Sequence, residues 1–192
     1  MKNLVYGVGI NDGKYPTSIN KVQKKEYSLW KSMLSRCYSA SYQDRQPTYI
    51  GCTVSDNFKH YSYFYEWCVS QIGFKDIGYQ LDKDSLIKGN KMYSESICIF
   101  IPRELNNLIE NSKATRGMLP LGVNKSRNKF KAECSVNGTT KYLGVFITPD
   151  EAFQTYKTFK ENYIKELAEK YKDAIDPRAY QALLNYEVHI DD

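Results

Sequence analysis

Histidine is nearly missing from this chain of 192 residues: only His60 and His189 occur, which excludes a His-rich metal cage. Cysteine is sparse and shows no pairing pattern. Cys37, Cys52, Cys68, Cys98 and Cys134 are odd in number, widely spaced and free of any Cys-x-x-Cys, so neither a disulfide framework nor a structural zinc site is expected. They read as reduced thiols packed like small apolar groups. No apolar run approaches the ~20 residues that a membrane span requires. The basic residues 1–10 lack a long apolar stretch with a small-residue cleavage site. The expectation is a cytoplasmic protein with no membrane partner.

The composition is that of a folded protein. Apolar residues make up 42%, enough for a real core, and 17 Tyr against 8 Phe and 2 Trp suit a protein that also displays aromatic surface. The length allows one or two domains at ~100–200 residues each. Lys plus Arg number 27 and Asp plus Glu 22, so the placement of charge matters more than its sum. Residues 119–192 are neutral as a whole, yet within 125–141 Lys125, Arg127, Lys129, Lys131 and Lys141 face Glu133 alone.

Residues 1–19, with Gly7, Gly9, Gly13 and Pro16, keep no period and read as an irregular arm. Tyr27, Trp30, Met33, Leu34 and Cys37 then recur at three and four, which predicts a helix over 24–38. Residues 39–47 read as turn and 48–54 as a short strand. Tyr61, Phe64, Tyr65, Cys68, Val69 and Ile72 form a second helical stripe, with Asp56 or Asn57 as its cap. A strand over 79–82, a polar loop at 88–91, a strand over 97–101 and a helix opened by Pro102 follow. Residues 113–118 are small, polar and basic and predict a linker.

The second part is more regular. Strands are expected over 122–124, 129–136 and 139–146, the last two joined by Asn137-Gly138, the pair favoured in a two-residue type I′ turn. Phe130, Ala132, Cys134 and Val136 alternate with Lys129, Lys131, Glu133 and Ser135, the pattern of a half-buried antiparallel sheet. Thr148, Pro149 and Glu151 make a capping box with proline at the first helical position. Ala152, Phe153, Tyr156, Phe159, Tyr163, Ile164, Leu167 and Tyr171 supply that helix's apolar stripe. Asp176-Pro177 starts a last short helix within 173–192, and the final residues read as frayed.

A sheet whose outer face carries Lys125, Arg127, Lys129, Lys131 and Lys141, with Tyr142 nearby, has the chemistry to lie in a DNA groove and reach phosphates and base edges. The bland alternative is a solvated sheet face. Residues 119–172, with Gly122-Val123, the basic second strand, Tyr142-Leu-Gly-Val-Phe146 and the Glu151-Ala helix start, resemble the Apetala-type (ethylene-response-factor) DNA-binding domain. The resemblance implies three strands packed on one helix that read double-stranded DNA from the sheet. By position it makes Lys125, Arg127, Lys129, Lys131, Ser135, Lys141 and Tyr142 the DNA-contacting residues.

Residues 20–112 resemble phage HNH (His-Asn-His) homing-type endonucleases, carried by the stretch from Leu81-Asp-Lys-Asp84 to Ile97-Cys-Ile-Phe100, with Trp30, Arg36, Cys37 and Tyr38 upstream. The two resemblances together imply an α+β protein: a small His-Me-finger-like (HNH-like) α/β unit, then a three-stranded antiparallel sheet packed on one helix. The general-base position of that nuclease class falls on Lys83 and an orienting Asn on Ile97, so the HNH centre is degenerate. A surviving site would have Asp82, Lys83 and Asp84 as its catalytic set, with Asp82, Asp84 and Asn90 holding Mg²⁺ or Mn²⁺. The bland alternative has the two aspartates capping turns or pairing with Lys88 and Lys91; His60 is the one other side chain able to act as a base.

The leading expectation is a phage-type double-stranded DNA-binding protein, derived from an HNH homing-type endonuclease, that acts in the bacterial cytoplasm without cleavage and without a cofactor. One alternative is an active metal-dependent DNA endonuclease. The other is a phage protein whose partner is a host defence protein, motivated by the altered catalytic positions and the Tyr-rich surface.

Overall fold

The computed structural model describes residues 4–109, 119–136, 138–190 and 192. It is mixed α and β, and divides into two compact units, Met1–Ile101 and Pro102–Asp192. The expected linker at 113–118 lies outside the described residues.

In the first unit, β1 (Ser18–Ile19) and β2 (Val22–Gln23) form a small antiparallel hairpin. Asn20 and Lys21 turn it, both at positive φ as a type I′ turn requires. Helix α1 (Lys25–Tyr38) follows and buries Trp30, Met33, Leu34 and Cys37, the stripe its spacing predicts. The Trp30 indole donates to the Phe58 carbonyl at 2.8 Å, so the one polar atom of a fully buried ring is satisfied. The arm at 5–16 has a partner: Ile10 pairs with the backbone at 59–61, and Tyr15 stacks on Tyr65 at 4.0 Å. A Cβ at Gly9 would stand 2.4 Å from Leu34 Cδ1, so only glycine lets the arm lie this close to α1.

Three expectations need correction here. Residues 40–45 are not turn but a helix, α2 (Ala40–Arg45). It buries no residue, so no apolar period marks it; the Gln43 amide holds it by donating to the Cys37 carbonyl at 2.8 Å. Of the strand expected over 48–54 only β3 (Thr53–Val54) forms, because Pro47–Tyr49 is a 3₁₀ turn. Helix α3 (Tyr61–Ser70) starts at His60 with no side-chain cap, the 3₁₀ turn Asn57–Lys59 intervening after Asp56. Its core face is Tyr61, Phe64, Trp67 and Cys68, whereas Val69 and Ile72 are exposed. The remaining strands are β4 (Tyr79–Asp82), β5 (Met92–Tyr93), parallel to β3, and β6 (Ile99–Pro102), paired with β4.

The second unit opens with α4 (Arg103–Ile109), which buries Leu105, Leu108 and Ile109. A three-stranded antiparallel sheet follows: β7 (Val123–Ser126), β8 (Lys129–Val136) and β9 (Thr139–Phe146), in that order. Gly138 has φ +75°, as a type I′ turn demands; Asn137 lies outside the described residues. Helix α5 (Pro149–Tyr171) packs Ala152, Phe153 and Tyr156 on Val123, Ala132 and Cys134. Its capping box is formed, Thr148 accepting from the Glu151 amide and Glu151 from the Thr148 amide. Glu104 accepts from Lys170, Tyr171 and Tyr163, which ties α4 to α5 and explains its place in this unit.

Helix α6 (Pro177–Leu184) begins on the Asp176 cap. The tail beyond it, expected to be frayed, is held at Val188. Val188 is buried, its carbonyl accepting from Lys157 and its amide donating to Glu161, both at 2.8 Å.

At Gly122, just before β7, the backbone lies close against α5: the residue has φ +74°, and a Cβ would stand 2.0 Å from the Tyr156 ring. Gly122→Ala is expected to cost about 3 kcal/mol through backbone strain and overlap. Gly138→Ala, where a Cβ meets nothing within 4 Å, is expected to cost about 1 kcal/mol. Urea unfolding followed by far-ultraviolet circular dichroism distinguishes the two, and equal losses would refute the close-approach explanation.

Candidate nucleic-acid interface

Cross-strand partners share a face of a sheet, so register decides which cations stand together. On β8, Phe130, Ala132 and Cys134 face α5, and Lys129, Lys131, Glu133 and Ser135 face away. Ser126 is paired with Lys129 and Asn124 with Lys131, so they join the open face. On β9 the open face takes Thr140, Tyr142 and Val145, opposite Ser135, Glu133 and Lys131. A bulge between the Ala132 and Glu133 pairs leaves Leu143 unpaired and turned to the core.

Two of the expected contact residues leave this face. Lys125 is in register with Phe130, and Lys141 with Cys134, both on the helix side. Lys141 Nζ lies 4.6 Å from the centre of the Phe159 ring of α5, a cation–π contact on the covered side. Arg127 sits instead at the exposed tip of the two-residue turn between β7 and β8, with φ +53°. The open face therefore brings together Lys129, Lys131, Ser135 and Tyr142, with Arg127 at its end.

The middle of that face is already paired. Lys131 Nζ lies 2.9 Å from both Glu133 oxygens, and Asn124 donates to Oε2 at 3.1 Å. Lys129 and Arg127 are the exposed cations left for a ligand. The sequence pattern missed Asn124 and Val145 on the open face, and the shift that places Val145 there follows from Gly144, which at φ +140° marks the bulge.

The loop after β4 gathers the other expected set. Asp82 is buried, and its Oδ2 accepts from the amides of Asp84 and Ser85 at 2.9 and 2.6 Å, an Asx turn. Lys83 is also buried; its Nζ donates to both Asp84 oxygens at 2.7 and 2.6 Å and to the Asn90 carbonyl at 2.7 Å. Asn90 donates to the carbonyls of Lys83 and Met92 and accepts from the Met92 amide. Burial pushes the Asp84 carboxyl above its usual range, and Lys83 opposes that shift.

Asp82, Lys83, Asp84 and Asn90 thus meet, but as a closed loop. The lysine ammonium occupies the Asp84 oxygens a divalent cation would need, so these residues do not fit Mg²⁺ or Mn²⁺ in this arrangement. Lys91 donates to the carbonyls of Thr48 and Ile50. His60 is exposed at the start of α3. All five cysteines are buried, and desolvation pushes the thiols of Cys37 and Cys98 up to about 12, far from the thiolate that metal ligation requires. Among the described residues no three His, Cys, Asp or Glu side chains group to hold a metal, and no helix is long and apolar enough to cross a membrane.

Comparison with protein-family models, curated proteins and solved structures finds no match.

Lys83→Met should destabilise the first unit by about 1 kcal/mol at pH 7, a low value because water reaches Asp84. A carboxyl whose pKa is raised by folding favours the folded state at acid pH and loses that contribution as pH rises through its folded pKa. Without Lys83 the raised pKa climbs further, so the deficit of the variant should shrink from pH 7 to pH 4. A deficit independent of pH, measured by urea titration at both values, would exclude Asp84 as the partner that matters.

Proposed function

We propose that this chain is a double-stranded DNA-binding protein of the phage type, derived from an HNH homing-type endonuclease and acting in the bacterial cytoplasm without cleaving its ligand. The observation that carries the reading is the half-covered sheet of the second unit. Its helix packs on one side only, and the other side presents Lys129 and Lys131 with Arg127 at the hairpin tip. A two-stranded ribbon fits the major groove and sheet proteins read DNA with strands laid in it, so strands of this sheet would enter the groove while its basic tip reaches phosphates.

The non-cleaving part of the reading is supported by the loop at Asp82. A general base must accept a proton, and the side chain at that position is a lysine whose ammonium is held by a carboxylate and a carbonyl. The mechanism is electrostatic docking: each phosphate neutralised by Lys or Arg releases a counterion, and affinity falls with salt. Neither Mg²⁺ nor Mn²⁺ is required.

Gel-shift titration at ~100 mM salt, where phosphate contacts still contribute, separates the two sides of the sheet. Arg127→Glu with Lys129→Glu should abolish the shift of a short duplex and lower the salt slope by about one per lost contact. Lys125→Glu with Lys141→Glu makes the same change in net charge on the helix side and should weaken binding far less. Equal losses from the two pairs would reject the open face as the docking surface. Metal-dependent nicking of supercoiled plasmid that Asp82→Ala removes would reverse the non-cleaving assignment.

A further inference from the structure

The open face is less cationic than the strands that build it. Its centre is an ion pair, Lys131 with Glu133, and Asn124 takes a further place on the carboxylate. Beside that pair the face turns apolar. Tyr142, opposite Glu133, is 60% exposed; Val145, opposite Lys131, is 42% exposed; Ile147, just past the end of β9, is 75% exposed. Single exposed apolar side chains need no explanation, but three within six residues along one strand edge do. Meanwhile Lys129 and Arg127 place the available positive charge at the β7–β8 turn end of the face, the end toward which Val145 and Ile147 also lie.

Such a surface matches one feature of duplex DNA. In the major groove the base edges display donors and acceptors, and the C5-methyl of thymine is the apolar group among them. We propose that the face reads thymine: Lys129 and Arg127 hold phosphates while Tyr142 and Val145 seat thymine methyl groups, so that the ligand is duplex DNA rich in A·T pairs. This rests on the DNA-binding reading above and adds what is recognised. Glu133 and Lys131, the partners of Tyr142 and Val145, are two residues apart, about 7 Å along a strand. That equals two base-pair steps of about 3.4 Å, so a strand following the groove brings the two side chains to thymines two pairs apart. The carboxylate that would accept from a cytosine amino group is already engaged by Lys131 and Asn124, which removes a competing preference.

The test changes the DNA and leaves the protein intact. The full chain is titrated onto two duplexes of one A·T-rich sequence at the same salt, the second with deoxyuridine in place of every thymidine. The thymine duplex should bind at least about fourfold more tightly, the worth of one buried methyl group. Tyr142→Ser with Val145→Ser should erase that preference while keeping the salt slope, since no phosphate contact is lost. Equal affinity of the unaltered protein for both duplexes overturns the thymine reading and leaves DNA binding standing. Binding of neither duplex overturns the DNA reading itself, and the thymine assignment with it.

Discussion

Helix α5 covers one side of a three-stranded sheet, and that single packing contact sorts every residue of β7, β8 and β9 into a covered or an open position. The sorting is tight because Gly122 lets the backbone come against the Tyr156 ring and the Thr148–Glu151 box sets where α5 begins. Alternation along β8 and the register with its neighbours do the rest. A run of five cations is thereby divided: Lys129 and Lys131 on one side, Lys125 and Lys141 on the other, and Arg127 in the turn at the end. The surface offered to a ligand is set by this division more than by net charge.

The first unit shows the opposite economy. Its strands are two to four residues long and cannot hold a fold by ladder hydrogen bonds alone. An aromatic cluster does so instead, with Phe58 at 5.0 Å from Phe64 and 4.8 Å from Trp67, and Trp30 bonded to the Phe58 carbonyl. Residues 82–91 close on themselves around the Lys83 ammonium, with Asp82, Asp84 and Asn90 all engaged within the loop. A loop built this way is stable because its polar groups are satisfied. For the same reason it has little left with which to hold a metal or activate water.

Much of the fold was legible wherever a period met a boundary signal. Helix α1 followed from its stripe, and α5 from Thr148, Pro149 and Glu151; β8 and β9 followed from alternation and turn residues, whereas the strand expected over 122–124 is shifted to Val123–Ser126 because the chain turns at Arg127. What escaped had no apolar signature: α2 is held by the Gln43 amide, and the docking of Val188 depends on Lys157 and Glu161, 31 and 27 residues away. The site was half legible. Alternation assigned Lys129 and Lys131 to the open face correctly, but charge counting along the chain swept in Lys125 and Lys141. The two-residue turn at 137–138 already implied that Lys141 stands opposite Cys134, a signal that register arithmetic holds and composition does not.

The aromatic cluster has one more consequence. The chain has two tryptophans, and both Trp30 and Trp67 lie in the core of the first unit. Tryptophan fluorescence therefore reports that unit alone. The contacts of the first unit join distant parts of the chain, such as Ile10 with His60, Tyr15 with Tyr65 and Thr53 with Met92. Those of the second are largely successive hairpins followed by the helix that covers them. Low contact order speeds folding, so the unit without tryptophan should form first, ahead of any fluorescence change. A stopped-flow experiment in which the helical dichroism and the fluorescence rise together would contradict that order.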